Sequence, residues 1–337
     1  MQYMGIHFGC LSIRIFKFVV FDDGSKGSEI KIQSPFGLGK FYTYYQGALP
    51  NAYDPNTKAV GYKAIKQVGI KGVERFDKKF FQGLLHNNGT SDGSVLIWKN
   101  FINEVFKNYR LGEDCDPIKV TIYLEDIDFT IQRNKGMPWM GVDDFSRKVF
   151  NLLKGEWRKF RQDDLLFLSQ KEKAEIVRTF VKINFQINQD DLFVIIGNQN
   201  TSMFKYTNNN SKVILSCGPG VNQLYSKCLN YEEQEIYQII NLCNQEGIEL
   251  SKACMKNLQY WKNDILSQMN LSFTKGSDFG QCNSVWIGGE GANLFNRISN
   301  TMHLTSDKVF KLPDPLLVFA SGAALYHSLI DISKEIE

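Results

Sequence analysis

Apolar and polar residues alternate from Gly5 to Phe21, in a segment rich in Ile, Phe and Val, and alternate again from Glu29 to Ile32. Asp22-Asp23-Gly24-Ser25 separates the two runs, so period-two alternation around a Gly-containing polar cluster predicts a β-hairpin. Gly37 to Asn56 carries Gly, Pro, Asn and Tyr without a regular period and reads as exposed loop, Tyr42 to Tyr45 included. Further on, Trp98, Phe101, Ile102 and Val105 recur at i, i+3, i+4 and i+7, which predicts an amphipathic helix over Val95 to Phe106. Helical spacing also marks Asp143 to Arg161, Glu172 to Phe180, Tyr231 to Asn244 (Ile236, Ile239, Ile240 and Cys243 on one face) and Leu250 to Met269 (Leu258, Trp261, Ile265 and Met269). Lys119 to Leu124 reads as a buried strand, Leu192 to Ile196 as an interior strand ended by Gly197, and Ser284 to Ile287 as a last strand entering a Gly-rich turn. A second hairpin is expected from Met203 to Tyr206 and Lys212 to Leu215, joined by Thr207 to Ser211. Strands and helices mix throughout and two hairpins open two halves, the pattern of an α/β chain with a duplicated layout.

Length fits that duplication, since 337 residues exceed the roughly 150 of an average domain. Apolar residues at 43% and charged residues at 22% exclude a disordered or fibrous chain and allow a large core without staples. The 39 basic and 36 acidic residues leave a net charge of only +3, so no global field favours direct nucleic-acid binding. The seven cysteines form no C-x-x-C pair and only four histidines accompany them, which points to free thiols in a reducing compartment. Arg14 and Lys17 break the only N-terminal apolar stretch, and no run reaches the 18 or so apolar residues of a membrane span. A cytoplasmic protein without a transmembrane segment is expected.

Chemistry concentrates at three glycine-containing turns that each follow an apolar strand: Gly5 to Arg14 (GIHFGCLSIR), Val194 to Tyr206 (VIIGNQNTSMFKY) and Val285 to Phe295 (VWIGGEGANLF). Glycine lets backbone N–H groups approach a phosphate or purine with no Cβ in the way. The first two turns lead into a hairpin; the third is expected to lead into a helix, whose N-terminus favours anions. Other motifs fall away. Phe36-Gly-Leu-Gly-Lys40 lacks the G-K-[ST] half of a phosphate-binding loop, and Phe41 follows the lysine. Lys154, Arg158, Lys159 and Arg161 around Trp157 and Phe160 read as a solvated helix with its apolar face buried rather than as a nucleic-acid patch.

The order of the three turns resembles that of the actin, heat-shock chaperone ATPase and sugar-kinase superfamily. Gly5 to Arg14 looks like its first phosphate loop, Val194 to Tyr206 its second, and Val285 to Phe295 its adenosine loop. Val60-Gly61-Tyr62-Lys63-Ala64, the Leu165 to Phe180 strand–loop–helix, and Pro313-Asp314-Pro315 with Phe319 to Ala324 resemble further family segments, so the likeness runs through nearly the whole chain. The resemblance implies a two-lobed actin-like α/β fold, a duplicated ribonuclease H-like sheet with a central nucleotide cleft. The lobes would span 1–180 and 181–337, with the C-terminal helix packing back on the first. Only roughly ninety residues separate the second and third turns, which implies a reduced second-lobe upper subdomain, as in plasmid-segregating actins, and no substrate-binding β-domain.

By the same resemblance, ATP or ADP would be held by Gly9, Ser12, Arg14, Gly197, Asn198, Gln199, Asn200, Gly288, Gly289, Glu290 and Gly291, with Gln170 as a weak candidate for placing the attacking water. Two departures matter. The family carries Asp where this chain has His7 and again where it has Ile195, and those carboxylates organise hydrated Mg²⁺, a hard ion that wants oxygen ligands. His7 is either a phosphate contact or a packed strand histidine. The reading is therefore an actin-like protein that self-assembles into filaments, cytoskeletal or DNA-segregating, with weak or absent ATP hydrolysis. The alternative is a non-hydrolysing pseudo-ATPase scaffold that recruits a protein adaptor. A small-molecule kinase ranks last, since it needs the missing catalytic Asp and metal.

Overall fold

The structure is a computed structural model that describes residues 2–9, 12–21, 31–33, 40–76, 80–81, 92–109, 118–124, 146–147, 150–151, 161–184, 191–197, 199–207, 210–228, 252–275, 284–295, 309–312, 315 and 317–336. The chain forms two compact units, one of Met1–Phe8, Ile13–Thr179 and Phe319–Glu337, the other of Gly9–Ser12 and Phe180–Val318.

The first unit is built on strands β1 (Gln2–Phe8), β2 (Ser12–Phe21), β3 (Lys31–Gln33), β4 (Lys40–Pro50), β7 (Ile118–Leu124) and β8 (Leu165–Ser169), in the sheet order β3-β4-β2-β1-β7-β8. A small ladder of β5 (Tyr53–Asp54) and β6 (Ala59–Val60) precedes helix α1 (Tyr62–Val68). Gly61 adopts φ 61° ahead of that helix, a left-handed conformation open to glycine at no steric cost. Helix α2 (Asp92–Tyr109) follows, and α3 (Lys173–Asn184) comes after β8. The helical spacing read from the sequence holds in α2: Trp98, Phe101, Ile102 and Val105 are all buried, in one core with Met4, Ile6, Phe8, Val120 and Ile122 from the sheet. Burying each such side chain contributes about 1.5–3 kcal/mol. On the sheet's β1 strand, the C-terminal helix (Val318–Ile336) comes so close at Gly5 that a Cβ there would collide with the Ala320 carbonyl oxygen.

The second unit repeats the plan with β9 (Leu192–Ile196), β10 (Asn200–Thr207), β11 (Asn210–Pro219), β12 (Val285–Gly288) and β13 (Val309–Lys311), in the order β11-β10-β9-β12-β13. Helices α4 (Val221–Cys228) and α5 (Lys252–Lys275) lie between β11 and β12 in the chain. In each unit a central strand pairs antiparallel with its hairpin partner on one side (β1 with β2, β9 with β10) and parallel with a later strand on the other (β1 with β7, β9 with β12). The duplicated layout read from the sequence is thus present as a repeated strand order.

Two expectations are corrected. The hairpin of the first unit is not Gly5–Phe21 against Glu29–Ile32; it forms inside the first run, with Gln2 facing Val19 and Phe8 facing Ile13, while β3 pairs with β4. Gly9 supplies the break, its N–H donating to the Ser12 carbonyl at 2.9 Å. The aperiodic stretch that contains Tyr42 to Tyr45 is strand, not loop, because aromatic β-formers there outweigh the flanking Gly and Pro as signals. The described chain after the third turn is the 3-10 turn Ala292–Phe295, and the helix expected beyond it falls on 296–308, outside the described residues. Of the helix expected over Asp143–Arg161, residues 146–147 and 150–151 are helical; Tyr231–Asn244, the Asp22–Ser25 turn, Pro313 and Asp314 lie outside the described residues. Among the described residues, no helix is long and apolar enough to cross a membrane.

Candidate functional site

Two glycine turns of the second unit stand side by side because their strands are parallel neighbours. β9 and β12 pair from Leu192↔Val285 to Ile195↔Gly288, so both release the chain at the same end of the sheet. Ligands of open α/β sheets characteristically sit beyond the carboxyl ends of such strands. All five residues of β9 are buried, and this apolar run fixes where the two turns begin. Gly289 adopts φ 90° and a Cβ there would come 2.5 Å from the Ile196 carbonyl oxygen. At Gly291 a Cβ would run into the Ile196 side chain and lie 3.0 Å from Val221 Cγ2. Glycine is needed at both positions because the third turn folds directly onto the end of β9.

Most of the amides named in this region donate within the protein. Gly289 N–H donates to the Pro315 carbonyl at 2.8 Å, Gly291 N–H to Ile196 at 3.0 Å, and Gly197 N–H to Asn200 at 3.0 Å. Gly197 in turn accepts from Val221 N–H at 3.0 Å, and Gln199 accepts from Gly220 N–H at 2.9 Å, which ties the second turn to the start of α4. Gln199 and Asn200 are half-buried, and the Asn200 side-chain oxygen accepts from the Ser202 hydroxyl at 3.1 Å. Asn198 lies outside the described residues.

Glu290 brings the first turn into the same neighbourhood. Its carboxylate accepts the Ser12 backbone N–H at 2.8 Å and the Ser12 hydroxyl at 2.9 Å, and it is 2% exposed. Gly9, Ser12, Gly197, Gln199, Asn200 and Gly288 to Gly291 therefore all belong to the second unit. Arg14 and Gln170 belong to the first. Arg14 is buried in β2 opposite His7, and Gln170 begins the short 3-10 turn Gln170–Glu172 after β8.

The two positions that depart from the family pattern are packed inside their sheets. His7 is 1% exposed, stacked on Tyr123 with ring centroids 5.4 Å apart and 4.8 Å from Phe319, which makes it a packed strand histidine. Ile195 is wholly buried, facing Gly288 across the ladder. Neither offers an oxygen ligand, so these positions do not fit Mg²⁺. Among the described residues no group of three or more His, Cys, Asp or Glu side chains is placed to hold a metal ion. The sequence reading passed over Glu172, whose carboxylate accepts both the N–H and the hydroxyl of Ser169, each at 2.7 Å. Ser169-x-x-Glu172 is a capping-box spacing, which is the signal that could have found it.

No protein-family model matches the sequence, and no curated protein does. Among solved structures, the crystal structure of MreB5 of Spiroplasma citri bound to ADP is similar over 99% of this chain and 98% of that one, at 12% identity and a TM-score of 0.55. A ParM filament from Clostridium botulinum is similar over 97% and 99% at 15% identity and a TM-score of 0.49. At 12% identity the likeness to the MreB5 structure speaks for the fold alone, and it agrees with the strand order repeated in the two units. The chain has the actin-like α/β fold.

Proposed function

We propose that this chain is an actin-like protein that binds ADP or ATP at the glycine turns of its second unit and self-assembles into filaments, with weak or absent hydrolysis. The observation that carries the reading is the parallel register of β9 and β12, which sets two glycine turns at one end of the sheet of an actin-like fold. The MreB5 structure to which this chain is similar is an ADP complex, which supports the same ligand class here. Gly288, Gly289 and Gly291 would face the nucleoside with backbone alone. Gln199 and Asn200 would supply amide side chains from the second turn.

Hydrolysis is placed low for a physical reason. Mg²⁺ neutralises phosphate charge and orients the attacking water in such reactions, and the buried His7 and Ile195 give it nothing to bind. No catalytic step is assigned to Gln170. The same two residues favour a second reading, a non-hydrolysing scaffold that keeps the shape and recruits a protein adaptor. A cytoskeletal or DNA-segregating role follows from the first reading.

High-speed sedimentation with electron microscopy of the pellet separates the two. Ordered filaments, with or without ATP–Mg²⁺, support the actin-like polymer, and dependence on ATP would show that the nucleotide controls assembly. Protein that stays in the supernatant under every condition refutes self-assembly and leaves the scaffold.

A further inference from the structure

Glu290 has a role that nucleotide binding by glycine turns does not need. It sits in the third turn, yet its carboxylate is spent on the first, where Ser12 presents a backbone N–H at 2.8 Å and a hydroxyl at 2.9 Å to the same oxygen, Oε1. The backbone beside it is shaped around that carboxylate. A Cβ at Gly9 would lie 2.7 and 2.8 Å from the two carboxylate oxygens, so the carboxylate in this position occupies the space that glycine leaves open. A main-chain N–H and a hydroxyl converging on one point, beside a glycine that clears the space, are donors of the kind that hold a phosphate or carboxylate oxygen. Here the oxygen they hold is the protein's own.

We propose that Glu290 is a resident anion that occupies the anion position of the first turn and thereby sets the ligand class of the site to nucleotides of low phosphate charge, diphosphate over triphosphate. This rests on the nucleotide reading above. A phosphate arriving at Ser12 finds both donors engaged and a negative charge 2% exposed, where water screens little. Each further phosphate adds repulsion without adding a hydrogen bond, so discrimination grows with ligand charge. A triphosphate binds in full only after the carboxylate leaves Ser12. The contact is then a device that keeps the site from responding to triphosphate. A carboxylate that merely ties the two turns together would affect the melting temperature and leave the choice between nucleotides untouched.

The test is calorimetric titration of ADP and ATP into the full chain, without divalent cations, for the wild type and Glu290→Gln, which keeps the size and removes the charge. The wild type is expected to bind ADP on the order of tenfold more tightly than ATP, a modest yield for a buried like-charge contact. In Glu290→Gln, ATP affinity should rise by about tenfold while ADP changes by less than about threefold, closing the gap. Binding by Glu290→Gln where the wild type binds neither nucleotide overturns the proposal, since the wild-type site is then closed to diphosphate as well. Equal wild-type affinities for ADP and ATP overturn it without reference to any variant, and so remain decisive if Glu290→Gln fails to fold. An equal effect of Glu290→Gln on both nucleotides overturns it as well, with nucleotide binding itself left standing. Failure of wild type and folded variant alike to bind either nucleotide refutes the nucleotide reading and the proposal together.

Discussion

Gly5 is where the packing of the first unit can be broken most cleanly. It lies in β1 between two hydrogen-bonded neighbours, facing Phe16 of β2 and Thr121 of β7, and the C-terminal helix passes directly over it. An alanine Cβ would overlap the Ala320 carbonyl oxygen and lie 2.9 Å from both the Ala320 carbonyl carbon and the Ala324 nitrogen. These are backbone atoms, so no side-chain rotation relieves the clash. The helix must back away, and it takes with it Phe319, Ala320, Ala323 and Ala324, each 0% exposed. Overpacking typically costs about 1–3 kcal/mol, and a clash with helix backbone belongs at the top of that range. At roughly 2–4 °C per kcal/mol for a unit of this size, Gly5→Ala should lower the melting temperature by about 6–12 °C in differential scanning calorimetry. A fall of less than about 2 °C would refute the close approach of helix and strand on which the first unit's packing rests.

Other perturbations read out other contacts. Trp261→Phe removes the indole N–H that donates to the buried Gly220 carbonyl at 2.9 Å, and should cost about 1–3 kcal/mol by denaturant titration; an unchanged midpoint would contradict the link between α5 and the start of α4. Thr121→Val deletes the buried hydroxyl 2.9 Å from His327 Nδ1, with a similar loss of about 1–3 kcal/mol expected; wild-type stability would mean that this contact does not help hold the C-terminal helix on β7. Asp54 is held below the usual carboxylate value of 3.8, chiefly by the Thr57 hydroxyl at 2.6 Å and further by backbone N–H groups such as that of Asn56. Because the folded value is the lower one, its stabilisation is present above pH 3.8 and is lost as pH falls through the folded value. Thr57→Val should move the Asp54 titration, followed by carboxyl NMR shifts, back up toward 3.8, and an unmoved titration would reject the cause.

Much of the fold was legible because local pattern and tertiary burial agreed. Leu192–Ile196 is a short apolar run closed by glycine, and it is the central, wholly buried strand of its sheet. Trp98 to Val105 kept its helical period because one face of α2 enters the core. The failures came where local signals competed. In β4, Gly47 and Pro50 punctuate a run whose aromatic residues make strand, and pairing with β2 and β3 decides the outcome. The first hairpin was misplaced because its turn, at Gly9, is shorter and less polar than the Asp22–Ser25 cluster that drew the reading. At the candidate site the glycines could be found from sequence, but the direction of the Glu290 side chain could not. Its partner Ser12 is 278 residues away, and no local period encodes such a contact. The packing of His7 between Tyr123 and Phe319 is likewise a meeting of three distant segments.

The central claim, that the glycine turns of the second unit hold a nucleotide, is tested most directly by hydrogen exchange of the full chain with and without excess ADP. The account predicts slowed exchange in peptides spanning Gly197 to Asn200 and Gly288 to Phe295, the turns that leave β9 and β12. Unchanged exchange in both turns, or protection confined to other segments, would contradict it.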